Sequence, residues 1–370
     1  MKFTVLQENL ARGLSIVSKA VSVKAPLPIL ENILITAQKG ELILASTDLK
    51  LGIITKVGAK VEKEGSLAVP ARVFSDLVGT LPKVTLDLFE EAKVLHIKTP
   101  QTTSRINGLA SEEFPKFMPL APKPFLEINS KVFSEAVGKT AFAAAGDDGR
   151  PILTGLLLKT AGKSGVLVGV DGFRLAEYRF ELKSAASWQG VIPVKAMVEV
   201  ARLFAGGEGP IKAYDQTDSG EVVFEKEATQ IYTKLLEGEF PDYKKIIPKE
   251  LKTTVEASLE ELLQSIKTVS VFAALESGGV LKLKADEASG TIELSALAGE
   301  VGENKTVLDA KVEGEPVTIA FNNKYLSDYL SNAKQEGVTL AFNGSLSPAK
   351  FKSPKQPHYT YIVMPVRVQS

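Results

Sequence analysis

The 370-residue sequence predicts an α+β fold of three repeated domains, each with two helices packed on antiparallel sheets. Three observations carry that prediction: landmarks that recur at one spacing, short helical stretches with one apolar face, and stretches in which apolar and polar residues alternate. The landmarks come first because they are the most specific. Pro-Ile-Leu starts at Pro28 in "LPILENILI" and again at Pro151 in "RPILTGLLL", 123 residues later. Asp48 in "STDLKL" and Asp171 in "VDGFRL" are also 123 apart, as are Val69-Pro70 and Ile192-Pro193. An acidic–Phe–Pro echo follows at 126, in "SEEFPKFMPL" and "GEFPDYKKIIP", a difference that a small loop insertion explains. Four landmarks in one order at nearly one spacing mark a duplication.

A third copy is fainter. "TTVEASLEELLQSIKTVSVFAAL" follows the pattern of "FLEINSKVFSEAVGKTAFAAA" and "FTVLQENLARGLSIVSKAV", each a short strand, a polar cap and an amphipathic helix. "VTIAFNNKYLSDYL" parallels "LAVPARVFSDLV" and "GVIPVKAMVEVARLF", and Pro365 falls roughly where Pro115 and Pro241 do. The expected domains are 1–122, 123–250 and 251–370.

The helices rest on apolar spacing, with Leu10, Leu14, Val17 and Val21 in the first and Leu259, Leu262, Leu263, Ile266 and Val269 in the fifth. Ser130 and Ser258 read as caps, and Glu261 three residues after Ser258 completes a capping box. The strands show period two and β-branched residues, as in "VTLDLFEEAKVLHIKT" and "EVVFEKEATQIYTKLL".

Composition narrows the function. Apolar residues at 44% and charged residues at 24% suit a folded, soluble chain. No run reaches membrane-span length, and "MKFTVLQENLARG" lacks the apolar core of a signal peptide, so a cytoplasmic protein is expected. With no cysteine there is neither a disulfide nor a thiolate metal site. The 44 basic and 44 acidic residues cancel, so any nucleic-acid contact must come from placement.

One placement recurs. Arg72, Lys195 and Lys324 hold the same repeat position, at or near the start of each domain's second helix. A cation there opposes the helix macrodipole, costing roughly 0.3–1 kcal/mol when exposed. One such residue is an ordinary solvated cation; three equivalent ones suggest a shared anionic partner. Arg12, Lys19, Lys139, Arg202, Lys267 and Lys334 lean the same way. A mild excess of basic over acidic residues on the expected helices fits loose, sequence-blind contact with a duplex backbone. Most phenylalanines sit at apolar-periodic sites, which argues against stacking platforms for single strands.

No catalytic constellation is visible, and neither metal nor cofactor is expected. His96 and His358 have no partner motif, and no phosphate loop, nucleophile elbow or zinc motif occurs. Asp147-Asp148 in "AAGDDGRP" reads as a turn, with cation binding the weaker alternative. "GVDGFRL" reads as a tight turn between strands. Near the end, "HYTYIVMPVRVQS" alternates Ile362, Met364 and Val366, but Pro365 cannot donate to a ladder. A shallow pocket for an extended peptide is one reading of it, an ordinary last strand the other.

Taken together, "MKFTV", "LPILENILI", "STDLKL", "VPARVF", "RPILTGLLL", "VDGFRLA", "EGEFPDYKKIIP", "FNNKYLSDYL" and "YIVMPVRV" resemble the bacterial DNA polymerase III beta subunit, the sliding clamp, in register over nearly the whole chain. The resemblance implies three DNA-clamp domains closing, as a head-to-tail homodimer, into a ring of six domains. Double-stranded DNA threads such a ring, which makes the replicative polymerase processive without catalysing anything itself. Its implied partners, bound through short linear motifs, are the polymerase catalytic subunit, the clamp loader, repair polymerases and mismatch-repair proteins.

The implied peptide pocket comprises Leu153, Val170, Gly172, Phe173, Arg174, Leu175, Pro241, Ile246, Ser347, Ile362, Met364, Pro365, Val366 and Arg367. Its apolar members accept Leu and Phe side chains, and Arg174 and Arg367 frame the cleft. Phe173 stands where His is common in the family. For DNA, Lys24, Arg72 and Lys195 match basic family positions, and the repeat adds Arg202 and Lys324. Phe272 is the expected apolar plug of the dimer seam. A metal- or carbohydrate-dependent enzyme using Asp147, Asp148 and Asp171, and a peptide-binding scaffold without DNA, are the alternatives.

Overall fold

The computed structural model describes the chain except residues 23–26, 148, 217–218, 276–277, 334–335, 354 and 368–370. Among the described residues there are six α-helices: α1 (Gln7–Val17), α2 (Ala71–Thr80), α3 (Ser130–Thr140), α4 (Val194–Leu203), α5 (Leu259–Ala273) and α6 (Asn323–Ala333). Each follows directly on a strand, from Lys2–Leu6 before α1 to Val317–Asn322 before α6, so the strand–helix unit occurs six times.

The caps differ from expectation in two places, the first being α1, where Leu6 stands at the cap position and no side chain caps the helix. Ser258 accepts from the Glu261 amide at 3.4 Å, as the capping box requires. Ser130, in contrast, is the first residue of α3, and the cap is Asn129, whose Oδ1 accepts from the Lys131 amide at 2.9 Å. The Ser130 hydroxyl instead accepts from the buried Lys226 ammonium (2.8 Å), which also donates to the Phe204 carbonyl just past α4 (3.0 Å). Val21 also lies outside its helix: α1 stops at Val17 and a 3-10 turn, Ser18–Ala20, follows.

The chain divides into two compact units, Met1–Phe133 with Glu199–Leu235, and Ser134–Val198 with Leu236–Ser370. In the first, a five-stranded sheet orders Lys60–Lys63, Lys2–Leu6, Thr85–Glu91, Val94–Lys98 and Thr103–Asn107. Eight strands form the second sheet: Leu126–Asn129, Pro210–Gln216, Glu221–Lys226, Thr229–Lys234, Leu51–Gly58, Glu41–Thr47, Asn32–Gln38 and Gly65–Pro70. Helix α1 buries Leu10, Leu14 and Val17. A Cβ on Gly13 of α1 would stand 2.6 Å from Val57 and 2.9 Å from Leu44, so glycine lets the helix sit directly on those strands. The eight-stranded sheet joins two sequence copies, since Thr229–Lys234 pairs antiparallel with Leu51–Gly58, Ile231 opposite Ile53. Ile53, Ile231, Tyr232 and Thr233 are buried along this seam, and Thr55 and Thr229 share a buried hydroxyl hydrogen bond of 2.8 Å.

The second unit repeats the device. Its seven-stranded sheet orders Gly155–Val170, Arg174–Pro193, Tyr359–Val363, Ala349–Lys352, Gly337–Phe342, Thr253–Ser258 and Lys311–Gly314. Its four-stranded sheet orders Gly302–Asp309, Thr291–Ala298, Val280–Asp286 and Val317–Asn322. Copies two and three meet where Arg174–Pro193 pairs with Tyr359–Val363, Leu175 opposite Ile362. The core beneath α6 is aromatic: Tyr329 stacks on Tyr361 at 4.8 Å and 15° and lies 5.5 Å from Phe351. Among the described residues, no helix is long and apolar enough to cross a membrane.

Candidate functional site

The expected pocket residues all belong to the second unit. Their organising element is the turn after Val170. Asp171 Oδ1 accepts from the amides of Phe173 (2.8 Å) and Arg174 (2.9 Å), and Gly172 takes φ +95°, where a side chain would be strained. A Cβ there would also stand 2.7 Å from Arg150 Nη2. The turn leaves Phe173 57% exposed, while its carbonyl accepts from the Met364 amide at 2.8 Å. The loop and the C-terminal segment are thus tied at the backbone. Val366 continues that segment by donating to the Ala320 carbonyl (2.8 Å), so Pro365, lacking an N–H, sits between two tethered residues.

Below this surface, Val170, Leu175 and Ile362 belong to one buried cluster with Leu157, Val168, Val191 and Tyr243, against which Ile152 and Phe240 pack. Ile246 ends the 3-10 turn Tyr243–Ile246 and is 38% exposed; Pro241, whose carbonyl accepts from Tyr243, is exposed. Met364, Pro365 and Val366 are half-buried and Arg367 is exposed. Leu153, 2% exposed within the 3-10 turn Pro151–Thr154, is core and offers a ligand almost no surface. Ser347 is half-buried in a loop, where its neighbour Leu346 is 66% exposed.

Arg174 does not frame the cleft. Its side chain is only 7% exposed: Nε donates to Asp171 at 2.9 Å and Nη1 to Asp328 of α6 at 2.5 Å. The guanidinium also lies 4.5 Å from the centre of the Tyr325 ring, which stacks near Phe173. Burial works against its charge, but the Asp328 hydrogen bond and the fields of Tyr361 and Asp171 outweigh that and raise its pKa. Arg174 is a strut for the turn. The exposed cation beside the turn is Arg150, part of the repeated Pro-Ile-Leu landmark, which carries no ion pair among the described residues.

The basic positions are as regular as the repeat predicts. Arg72, Lys195 and Lys324 are each the second residue of their helix, and all are exposed. Each has an acid four residues on, a signal the sequence carried. Arg72 lies 3.8 Å from Asp76 and Lys324 lies 3.0 Å from Asp328, whereas Glu199 is held by Arg202 at 2.5 Å, leaving Lys195 without an ion pair among the described residues. Such helical pairs are worth about 0.3–0.5 kcal/mol and yield readily to a stronger anion. Lys139 is excluded from any surface role: it is 4% exposed and pairs with Glu135. Lys24 and Lys334 lie outside the described residues.

Phe272 of α5 is half-buried and faces the strand Gly302–Asp309, a free edge of the four-stranded sheet. In and beside α5 and the strands near it, Val271, Leu275, Leu297, Val301 and Val307 are 54–72% exposed, and exposed apolar groups of this kind mark interaction surfaces. Asp147 makes the expected turn, its Oδ1 accepting from Gly149, while Asp148 lies outside the described residues.

Known proteins place this geometry. Family models of the DNA polymerase III beta subunit match in order: the N-terminal domain over residues 1–119, the central domain over 127–242 and the C-terminal domain over 244–367. The beta sliding clamp of Synechococcus elongatus is 30% identical over the whole of both chains, and that of Bacillus subtilis is 27% identical over 99% of this chain and all of its own. The crystal structure of the Bacillus subtilis DNA polymerase sliding clamp superposes with a TM-score of 0.96 at 26% identity, covering both chains fully. A Pseudomonas aeruginosa sliding clamp bound to griselimycin gives 0.93 at 26%, again over both chains. This chain belongs to the DNA polymerase III beta subunit family, the beta sliding clamps.

Proposed function

We infer that the chain acts as a DNA sliding clamp, a processivity factor that keeps the replicative polymerase on duplex DNA. The observation that carries this is the tandem of three clamp-domain matches along one chain. We take the domains as 1–122, 123–250 and 251–370. Two chains close head to tail into a ring of six such domains in the cytoplasm. The edge strand Gly302–Asp309, with Phe272 and its apolar neighbours, is one side of the seam, because a free edge with exposed valines is a template for pairing. The free edge Thr103–Asn107 of the five-stranded sheet is the surface it meets on the second copy. Two different surfaces meeting make a head-to-tail joint, which closes when the rotation fits.

Duplex DNA is held by topology, with Arg72, Lys195, Arg202, Lys324 and Lys24 giving weak, sequence-blind phosphate contacts. Leu153, Val170, Leu175 and Ile362 support the peptide site, while Gly172, Phe173, Pro241, Ile246, Ser347, Met364, Pro365, Val366 and Arg367 face the ligand. Arg174 fixes the turn, and Arg150 supplies the charge at its edge. Polymerase, clamp loader and repair proteins dock there by apolar side chains, each worth about 1.5–3 kcal/mol when fully buried. The clamp is an accessory subunit and catalyses nothing.

The test is retention on DNA. Loaded protein should stay on nicked circular DNA through a high-salt gel filtration and leave once the circle is cut, and should sediment as a dimer. Equal loss from circle and linear DNA would defeat the topological reading.

A further inference from the structure

The first unit contains a cleft of about 250 Å³ built on the repeat-mate of the Asp171 turn. Its walls include Leu49, Leu51, Phe117 and Tyr232, and Lys50, Lys116, Lys234 and Glu221 line the opening. We propose that this cleft is a second docking site, which takes a short extended peptide segment carrying carboxylates beside one or two apolar side chains. This goes beyond the pocket of the second unit and does not rest on it.

Geometry makes the first argument. Asp48 Oδ1 accepts from the amides of Lys50 (2.9 Å) and Leu51 (2.7 Å), the same two-bond pattern that Asp171 makes with Phe173 and Arg174. The position matching Gly172 is Leu49, at φ +73°. A leucine there is strained where glycine is free, and this one is also 44% exposed. Inside the free protein the side chain gains little for that strain. An apolar contact from outside gives it a use.

The second argument is that the floor is preformed. Phe117 lies against the bare backbone of Gly52, where a Cβ would come within 2.4 Å of the ring, and 4.9 Å from the Tyr232 ring. The Tyr232 hydroxyl donates to the Met118 carbonyl at 3.2 Å and anchors the segment that carries Phe117. The volume is below the roughly 300–1,000 Å³ of small-molecule sites, and fits one or two side chains of a longer segment.

Charge selects the occupant. Lys50, Lys116 and Lys234 are exposed and carry no ion pair among the described residues, against the carboxylates of Glu221 in the lining and Asp48 in the turn. Three unpaired ammonium groups around an apolar floor complement an acidic peptide. A nucleic-acid strand suits the cleft less, because Tyr232 is 5% exposed and Phe117 half-buried, so neither ring offers an open face to a base.

The probe is a fluorescein-labelled synthetic peptide, Glu-Asp-Leu-Phe-Glu-Asp, with a diazirine on the phenylalanine. Anisotropy is read on the full chain with the second-unit pocket disabled by Phe173→Ala and Met364→Ala. Binding should persist in that background, weaken with salt, and fall about tenfold or more when Lys50→Glu, Lys116→Glu and Lys234→Glu are combined. Cross-links should map to residues 47–52 and 115–117. Unchanged affinity in the triple variant, or cross-links confined to the second unit, overturns the proposal. So does tighter binding by a single-stranded oligonucleotide that displaces the peptide. Loss of all binding on disabling the second-unit pocket overturns it too while leaving that pocket standing; if the second-unit reading alone is wrong, the Phe173/Met364 changes have no effect and the lysine changes still do.

Discussion

Replacing Arg174 with alanine separates a strut from a ligand contact. The change leaves two carboxylates facing an empty site: Asp171, 12% exposed, and Asp328, 24% exposed. Removing one partner of a buried pair costs about 3–5 kcal/mol. Both acids are partly compensated here, since Asp171 keeps two backbone amides and Asp328 keeps Lys324 at 3.0 Å, which places the loss at the low end. With the contact to the Tyr325 ring also gone, about 3 kcal/mol is expected. For a unit of some 200 residues that lowers the calorimetric transition of the second unit by about 6–12 °C. Arg174→Lys should recover part of it, because an ammonium satisfies one carboxylate but not the fork between two. Arg150→Ala should leave the transition in place and weaken a peptide carrying a Leu-Phe pair. If Arg174→Ala moves the transition by less than about 2 °C yet abolishes peptide binding, the guanidinium serves the ligand and the strut argument is wrong.

Phe173→Ala with Met364→Ala should weaken the Leu-Phe peptide by about tenfold or more in a fluorescence titration and leave the dimer intact; Leu153→Ala is unsuitable for this purpose, because a buried leucine lost from the core costs about 2–5 kcal/mol of stability by itself. Combining Arg72→Glu, Lys195→Glu and Lys324→Glu should lower duplex affinity at low salt and flatten its salt dependence by up to about three phosphate contacts; an unaltered slope removes these residues from the DNA surface. All eight tyrosines have raised pKa values, with burial the leading cause, and Tyr214 and Tyr232 are pushed up to about 12. The folded state therefore holds its phenol protons more tightly than the unfolded chain. The stability this gives is complete below the ordinary value of 10.0 and is lost as pH rises from there through about 12. Phenolate absorbance that appears near pH 10.0 before any unfolding would contradict the burial of these rings.

Repetition was legible from the letters because it needs no third dimension: Pro28 and Pro151, or Asp48 and Asp171, recur whatever the chain does in space. The helices were legible for a related reason. A stripe such as Leu10, Leu14 and Val17 records one buried face, and the start of each helix is written within a few residues. Even the acids that accompany Arg72, Lys195 and Lys324 stand four places on, open to anyone who looks for them. Local chemistry departs from expectation where two neighbours compete for one role, as when Asn129 caps α3 and Ser130 turns to Lys226, and where a helix ends early, as α1 does at Val17.

The tertiary structure alone decided how the copies join and what the joining does to individual side chains. Nothing near Ile53 announces Ile231 as its strand partner, and nothing near Leu175 announces Ile362, because sheet pairing links residues more than a hundred positions apart through backbone groups that every residue carries. Those pairings make compact units that cut across the repeats. They also bring Asp328 to Arg174, which turns a residue expected at the mouth of a pocket into the buried fastening beneath it. Charge in a sequence has a sign but no depth, and depth is what separates a strut from a contact.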